Sequence, residues 1–244
     1  MSELVDCPNC ERGPFEHIGQ HWNKGDRCSE PQLTEEQEEV IAGTLMGDGC
    51  VSHTDKNPAL SCLMINQRFL EHLDEMLGVF STGVRLARTA EESAEENRER
   101  GFRPNADAED YSDQYQLDTR NLEQLHKYED WYSSGEKVWP EDLELTPTVL
   151  KYWYVGDGSY QVGENQVRGN IVLSLNNERE HKDKIESYFH DGPGVTVDRW
   201  REYEAPNGRI DCAAVFHADT SEQLFDYMGS PLPGFGYKWP DEAK

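Results

Sequence analysis

The segment Ile41–Gly49, IAGTLMGDG, returns later in the chain as Leu150–Gly158, LKYWYVGDG. Each copy is a short apolar, helix-compatible run ending in Gly-Asp-Gly, so each sends one carboxylate, Asp48 or Asp157, out of the C-terminal end of a helix. The separation is 157 − 48 = 109 residues, about the size of a small domain. A single Gly-Asp-Gly is an ordinary helix-terminal turn with a glycine cap. An acidic helix end carried twice, a domain apart and with matched flanks, suggests two similar halves meeting around a pair of aspartates.

The flanks repeat as well. Thr34 and Gln37 stand at capping-box positions before the first copy, and Thr146 with Pro147 opens the second as cap and first helical residue. After Gly49 come strand-like runs, VSH and ALSCLMIN, and then the amphipathic QRFLEHLDEMLGVF with Phe69, Leu70, Leu73 and Leu77 on one face. GVRLART and YQLDTR read as paired strands, followed by NLEQLHKYEDWY as a helix. Between those strands, Ala90 to Asp113 is almost wholly charged and lacks an apolar period, so it is expected to be a mobile insertion. In the second half QVRGNIVLSL, VTVDRWREY and IDCAAVFHA read as strands, EREHKDKIESYF and TSEQLFDYM as helices. Both halves read helix, strands, helix, strands, helix, an internal structural repeat. The expected organisation is a small unit over 1–33, a first repeat over 34–134 and a second over 135–244.

Residues 1–33 are too few to form a core and need a staple. Cys7-x-x-Cys10, His17, His21 and Cys28 offer five ligands for a tetrahedral zinc. The preferred set is Cys7, Cys10, His21 and Cys28, because a thiolate is a strong zinc ligand; the alternative replaces Cys28 with His17 but leaves a six-residue loop. The other cysteines, Cys50, Cys62 and Cys212, are isolated among apolar neighbours and are expected to be buried thiols in a reducing compartment.

Composition pulls against a nucleic-acid partner, since 23 Lys plus Arg face 48 Asp plus Glu for a net charge of −25. It fits instead the solvated surface of a protein from a high-salt cytoplasm, where the Debye length shrinks to about 3 Å. Fourteen of the basic residues are Arg, the better phosphate and base binder, so their placement matters more than their number. No run approaches the roughly 20 apolar residues of a membrane span, and no basic-then-apolar leader opens the sequence. A cytoplasmic protein is expected.

Ile41–Gly49 and the LTPTVLKYWYVGDGS stretch from Leu145 to Ser159, with KVWPEDLELTP before it and LFDYMGSPLPGFGYKW at the end, resemble the LAGLIDADG homing endonucleases over about residues 35–240. The second copy departs from the signature in carrying Lys151 and Tyr152 where it has Ala and Gly. The resemblance implies an α+β fold: two pseudo-symmetric αββαββα repeats forming a DNA-binding saddle, with the motif helices side by side. Ala42, Gly43 and Gly47 suit such a close approach.

The implied activity is site-specific cleavage of double-stranded DNA by a monomer. Asp48 and Asp157, with the carbonyls of Gly47 and Gly156, would hold Mg²⁺, a hard ion that prefers oxygen ligands. Gln67 and Lys137 occupy positions suited to the polar or basic pocket around the metals. Candidate DNA contacts are Arg85 and Arg88 on one strand, Arg168 on another, and Arg199 and Arg201 on a third. The alternative is a nucleic-acid-binding protein of the same fold without cleavage, an intron maturase or a regulator. A zinc-binding structural protein whose acidic surface meets a basic partner is a third reading.

Overall fold

A computed structural model describes residues 4–23, 28–52, 57–133, 136–164, 166–175, 178–204, 208 and 210–240. The chain forms two compact units, Met1–Gln37 with Gly49–Asp130, and Glu38–Asp48 with Trp131–Lys244. Most of the first motif helix therefore belongs to the unit that contains the second motif.

The first unit opens with a Val5–Phe15 bridge and the short helix α1 (Ile18–Asn23), whose Ile18 and Trp22 are buried. Helix α2 (Glu35–Met46) starts in this unit. The Thr34 and Gln37 side chains satisfy each other's backbone N–H groups at 3.2 and 3.0 Å, the reciprocal cap expected from sequence. Gln37 Nε2 also donates to the Met76 carbonyl at 3.1 Å. Strands β1 (Gly49–Ser52) and β2 (Ala59–Met64), helix α3 (Gln67–Leu77) and strand β3 (Ser81–Arg88) follow. The apolar stripe of α3 is buried as its periodicity predicts, and the helix ends at Gly78, whose φ of 53° favours glycine.

The expected mobile insertion is instead ordered. It forms helix α4 (Ala90–Glu99), whose cap is a reciprocal pair between Thr89 and Glu92. Ser93, Ala94 and Ala106 supply its buried side, and Arg98 Nη1 donates to the Ala106 carbonyl at 2.5 Å. Residues this small give no apolar period. Strand β4 (Gln114–Thr119) completes an antiparallel sheet in the order β1-β2-β4-β3. The helix expected over NLEQLHKYEDWY is a 3₁₀ helix, Glu123–Trp131. Its start is tied down from outside, by Leu122 N on the Pro58 carbonyl and by Gln124 on Glu30 and Pro31.

In the second unit, the hairpin of β5 (Tyr132–Ser133) and β6 (Glu136–Lys137) leads to α5 (Pro147–Asp157), with Thr146 and Pro147 in the capping roles read from sequence. Strands β7 (Gly158–Gln161) and β8 (Asn170–Ser174), helix α6 (Lys182–Asp191), strands β9 (Arg199–Glu204) and β10 (Ile210–Phe216), and helix α7 (Ala218–Met228) follow. The sheet order β7-β8-β10-β9 repeats that of the first sheet. Its core is aromatic: Trp153 packs on Trp139 and Phe189, and Tyr154 meets Phe225 and Trp239 edge-on.

Cys62 and Cys212 are buried and form no disulfide, as expected, but Cys50 is exposed. It alternates along β1 with the buried Val51, so strand parity decides its exposure.

Candidate active site and metal cluster

The segment Glu38–Asp48 and helix α5 meet within the second unit, and glycines set how closely. A Cβ on Gly43 would stand 2.6 Å from the Val149 carbonyl oxygen and 2.7 Å from Tyr152 Cβ. Gly47 and Gly156 face each other one turn further on. A Cβ on Gly156 would lie 3.0 Å from both Gly47 Cα and Asp48 N. No side chain fits between these backbones, so the two Gly-Asp steps are side by side.

Asp48 is exposed and Asp157 half-buried, the latter accepting from Trp153 Nε1 at 3.2 Å. Beside them lies Lys238, near the end of the described chain. Its Nζ donates to the Val155 carbonyl at 2.7 Å and sits 5.1 Å from the Phe235 ring centroid. Burial lowers its pKa, while the nearby charges of Asp48 and Asp157 act in the opposite sense. Sequence reasoning missed this residue. The available signal was a lone lysine in the aromatic segment Phe235-Gly-Tyr-Lys-Trp239.

Lys151, the departure from the signature, lies away from the helix contact. Its Nζ is 4.0 Å from where a Cβ on Gly229 would stand, at the C-cap of α7. A cation there complements the negative end of a helix. The approach to Glu38–Asp48 is made by Val149, Tyr152, Trp153 and Gly156.

The remaining candidates are dispersed. Gln67 is the first residue of α3, in the first unit, where its amide donates to Glu71 Oε1 at 2.8 Å. Lys137 pairs through β6 with Tyr132, and its side chain falls outside the described residues. Arg85 is paired with Asp118 at 2.5 Å, Arg88 with Glu96, and Arg168 with Asp219 and Glu222 at 2.7 and 3.1 Å. Arg199 and Arg201 are exposed on β9 and, among the described residues, have no ion-pair partner.

At the N-terminus, Cys7, Cys10, His21 and Cys28 converge, with all their ligand atoms within 4.8 Å of one another. Cys7 Sγ is 3.5 Å from Cys28 Sγ, and Cys10 Sγ is 3.2 Å from His21 Nε2. His17 is exposed and outside the group. Burial pushes the Cys7 thiol up, but donation from Trp22 Nε1 at 3.3 Å and from the backbone of Asn9 and Cys10 outweighs it and brings the thiol to about 6. Burial and the neighbouring Cys7 and Cys10 push Cys28 up to about 12. Three sulfurs and one imidazole nitrogen at these separations fit a tetrahedral zinc, whose ligands stand about 2.0–2.3 Å from the ion. The group is anchored to the first unit through Trp22, 6.1 Å from the Phe80 ring.

Residues 38–192 match the profile described as the LAGLIDADG DNA endonuclease family. The chain belongs to that family. Among curated proteins, Protein RecA of Mycobacterium gastri is 26% identical over 191 residues, covering 72% of this chain and 41% of that protein. The chain thus spans about two-fifths of the length of this relative. Among solved structures, the homing endonuclease I-WcaI bound to its DNA recognition sequence superposes with a TM-score of 0.70 at 15% identity, over 94% of this chain and 95% of that one. I-SmaMI bound to uncleaved DNA target in the presence of calcium ions gives 0.50 at 10% identity, over 87% and 90%. These likenesses confirm the fold of a LAGLIDADG protein. Among the described residues no helix is long and apolar enough to cross a membrane.

Proposed function

We propose that the chain is a site-specific double-strand DNA endonuclease whose active centre is built on Asp48 and Asp157. The observation that supports this reading is the approach of Gly47 and Gly156, which leaves no room for a side chain and brings the two Gly-Asp steps side by side. Two carboxylates flanked by backbone carbonyls form an all-oxygen donor set, suited to a hard divalent cation such as Mg²⁺. When bound, such an ion generates a nucleophilic water and neutralises charge on the scissile phosphate.

The chain's own groups divide the remaining work. The aspartates orient whatever they bind through the fixed helix ends, and Trp153 limits rotation of Asp157. Lys238 supplies a half-desolvated ammonium beside both carboxylates, placed to meet a phosphate oxygen. Arg199 and Arg201, without an ion-pair partner among the described residues, are the readiest phosphate contacts; Arg85, Arg88 and Arg168 must exchange or keep an acidic partner. The Cys7, Cys10, His21 and Cys28 group holds a structural zinc. With both motifs in one chain the enzyme acts as a monomer, and its acidic surface fits a high-salt cytoplasm.

Cleavage of a randomised duplex library with Mg²⁺ at molar KCl tests the assignment. Wild type should cut a defined site, and Asp48→Asn and Asp157→Asn should each lose about a thousandfold or more in rate while still binding it. Equal cutting by wild type and both variants removes the aspartates from the mechanism. Sequence-selective binding without any nicking by wild type turns the reading to a maturase or regulator.

A further inference from the structure

The two sheets share strand order, and apart from two irregularities in β3, between Ser81 and Val84 and between Leu86 and Arg88, their ladders run in matching register, so positions can be matched through Arg85. In the first, Gly49 pairs with Cys62, and Ser61 with Asp118. In the second, Gly158 pairs with Leu173, and Val172 with Val215. Following both ladders to the edge strand, Ser61, Gln116, Asp118 and Arg85 correspond to Val172, Ala213, Val215 and Arg201.

The pleat of the first sheet turns Leu60, Cys62, Leu117 and Thr119 into the core and Ser61, Gln116 and Asp118 to the other face. There the side chains form one connected cluster. Asp118 Oδ1 accepts from Ser61 Oγ at 2.6 Å and from Gln116 Nε2 at 2.9 Å, and Oδ2 accepts from Arg85 Nη1 at 2.5 Å. Gln116 also donates to Ser61 Oγ at 2.9 Å. The Arg85 side chain stays 52% exposed, so most of its guanidinium N–H groups remain available. The matching face of the second sheet has no such cluster. Val172, Ala213 and Val215 pack together as buried residues, and Arg201 has no ion-pair partner among the described residues.

We propose that Asp118 is a positioning residue for sequence readout: it locks Arg85, with Gln116 and Ser61, into a fixed edge that reads one G·C pair in the major groove of one half-site, and the second sheet lacks this reader. This rests on the DNA-cleaving reading above. An arginine fork matches guanine O6 and N7, the commonest specific contact. A carboxylate that holds the fork in advance removes its rotamer freedom before binding and partly cancels its attraction to phosphates, which favours discrimination over general affinity. Arg201, over an apolar patch, is left to phosphates.

The test is selection of bound duplexes from a randomised library by the full chain, without divalent metal, so that cleavage plays no part. Wild type should enrich a G·C pair at one position of one half-site. Asp118→Asn, Asp118→Val and Arg85→Gln should each lose preference at that position about five- to hundredfold, with all other positions unchanged. Arg201→Gln should instead weaken binding evenly and reduce the salt slope by about one. Arg85 is exposed, so its variant keeps the test open should the Asp118 variants melt early. Selection by wild type with the same pattern in the Asp118 and Arg85 variants, or with an even loss at every position, overturns this proposal alone. A wild type that enriches nothing overturns the DNA reading and this proposal together.

Discussion

The two repeats use one strand order to opposite ends. The first is lean and polar: its motif segment carries Ala42, Gly43 and Gly47, its sheet a hydrogen-bonded cluster around Asp118, and a cysteine-histidine group lies ahead of it in the chain. The second is heavy and aromatic, with Trp153, Tyr154, Phe189, Phe216 and Phe225 buried, and its tail returns Lys238 to the motif end. A duplicated scaffold therefore need not duplicate its supports. What both copies keep is the Gly-Asp step where the helices touch.

The comparison can be broken most sharply at Lys238, which has no matching residue identified in the first repeat. Lys238→Met should lower the cleavage rate about a hundredfold with little change in DNA affinity; a rate within threefold of wild type would place the lysine outside the chemistry. The next largest effect concerns packing. Gly43→Val and Gly156→Val force side chains into spaces under about 3 Å and should cost about 3 kcal/mol or more, a fall of roughly 6–12 °C in Tm. Lys151→Met, on the far side of α5, should stay within about 1 kcal/mol. Equal effects would mean that Lys151 belongs to the helix contact after all.

Removing the staple of the first repeat should be milder for the rest of the chain. The wild type should retain one equivalent of zinc through gel filtration, and Cys7→Ala/Cys10→Ala should retain none. Trp22 emission should shift to the red as it leaves Phe80, while the far-ultraviolet signal falls only slightly. Zinc retained by the double variant would put the ligands elsewhere. The smallest effect is global: lowering KCl from molar to about 0.1 M should reduce Tm by several degrees as screening of the −25 charge weakens. A flat or rising Tm would count against salt adaptation.

Much of this was legible because the signals are local. The motif ends, the caps at Thr34 and Thr146, the α3 stripe and the convergence of Cys7, Cys10, His21 and Cys28 all depend on spacings within one segment. What was hidden depends on the fold. Lys238 lies 81 residues beyond Asp157 (238 − 157) and reaches it only by tertiary packing. The Asp118 cluster needs a cross-strand register that no single strand encodes. Helix α4 escaped because capping and small buried residues, not an apolar stripe, stabilise it. Arg85, Arg88, Arg199 and Arg201 lie on strands as read from sequence, but Arg168, expected on a strand, sits in the bend before β8; knowing that three of the five would be occupied by carboxylates was not possible in a chain with acids on every side.

The segment Glu38–Asp48 finally bears on how the protein is made. The partners of Gly43 and Gly47, Val149 through Gly156, leave the ribosome roughly a hundred residues after it. At about 5–20 residues per second that is a wait of roughly ten seconds, during which a small-residue helix face waits uncovered. The second unit cannot close before the first has emerged, and a fragment beginning at Trp131 would lack one of its own helices. Expressing the repeats as separate halves should therefore yield a soluble second piece only when a peptide spanning Glu38–Asp48 is supplied with it.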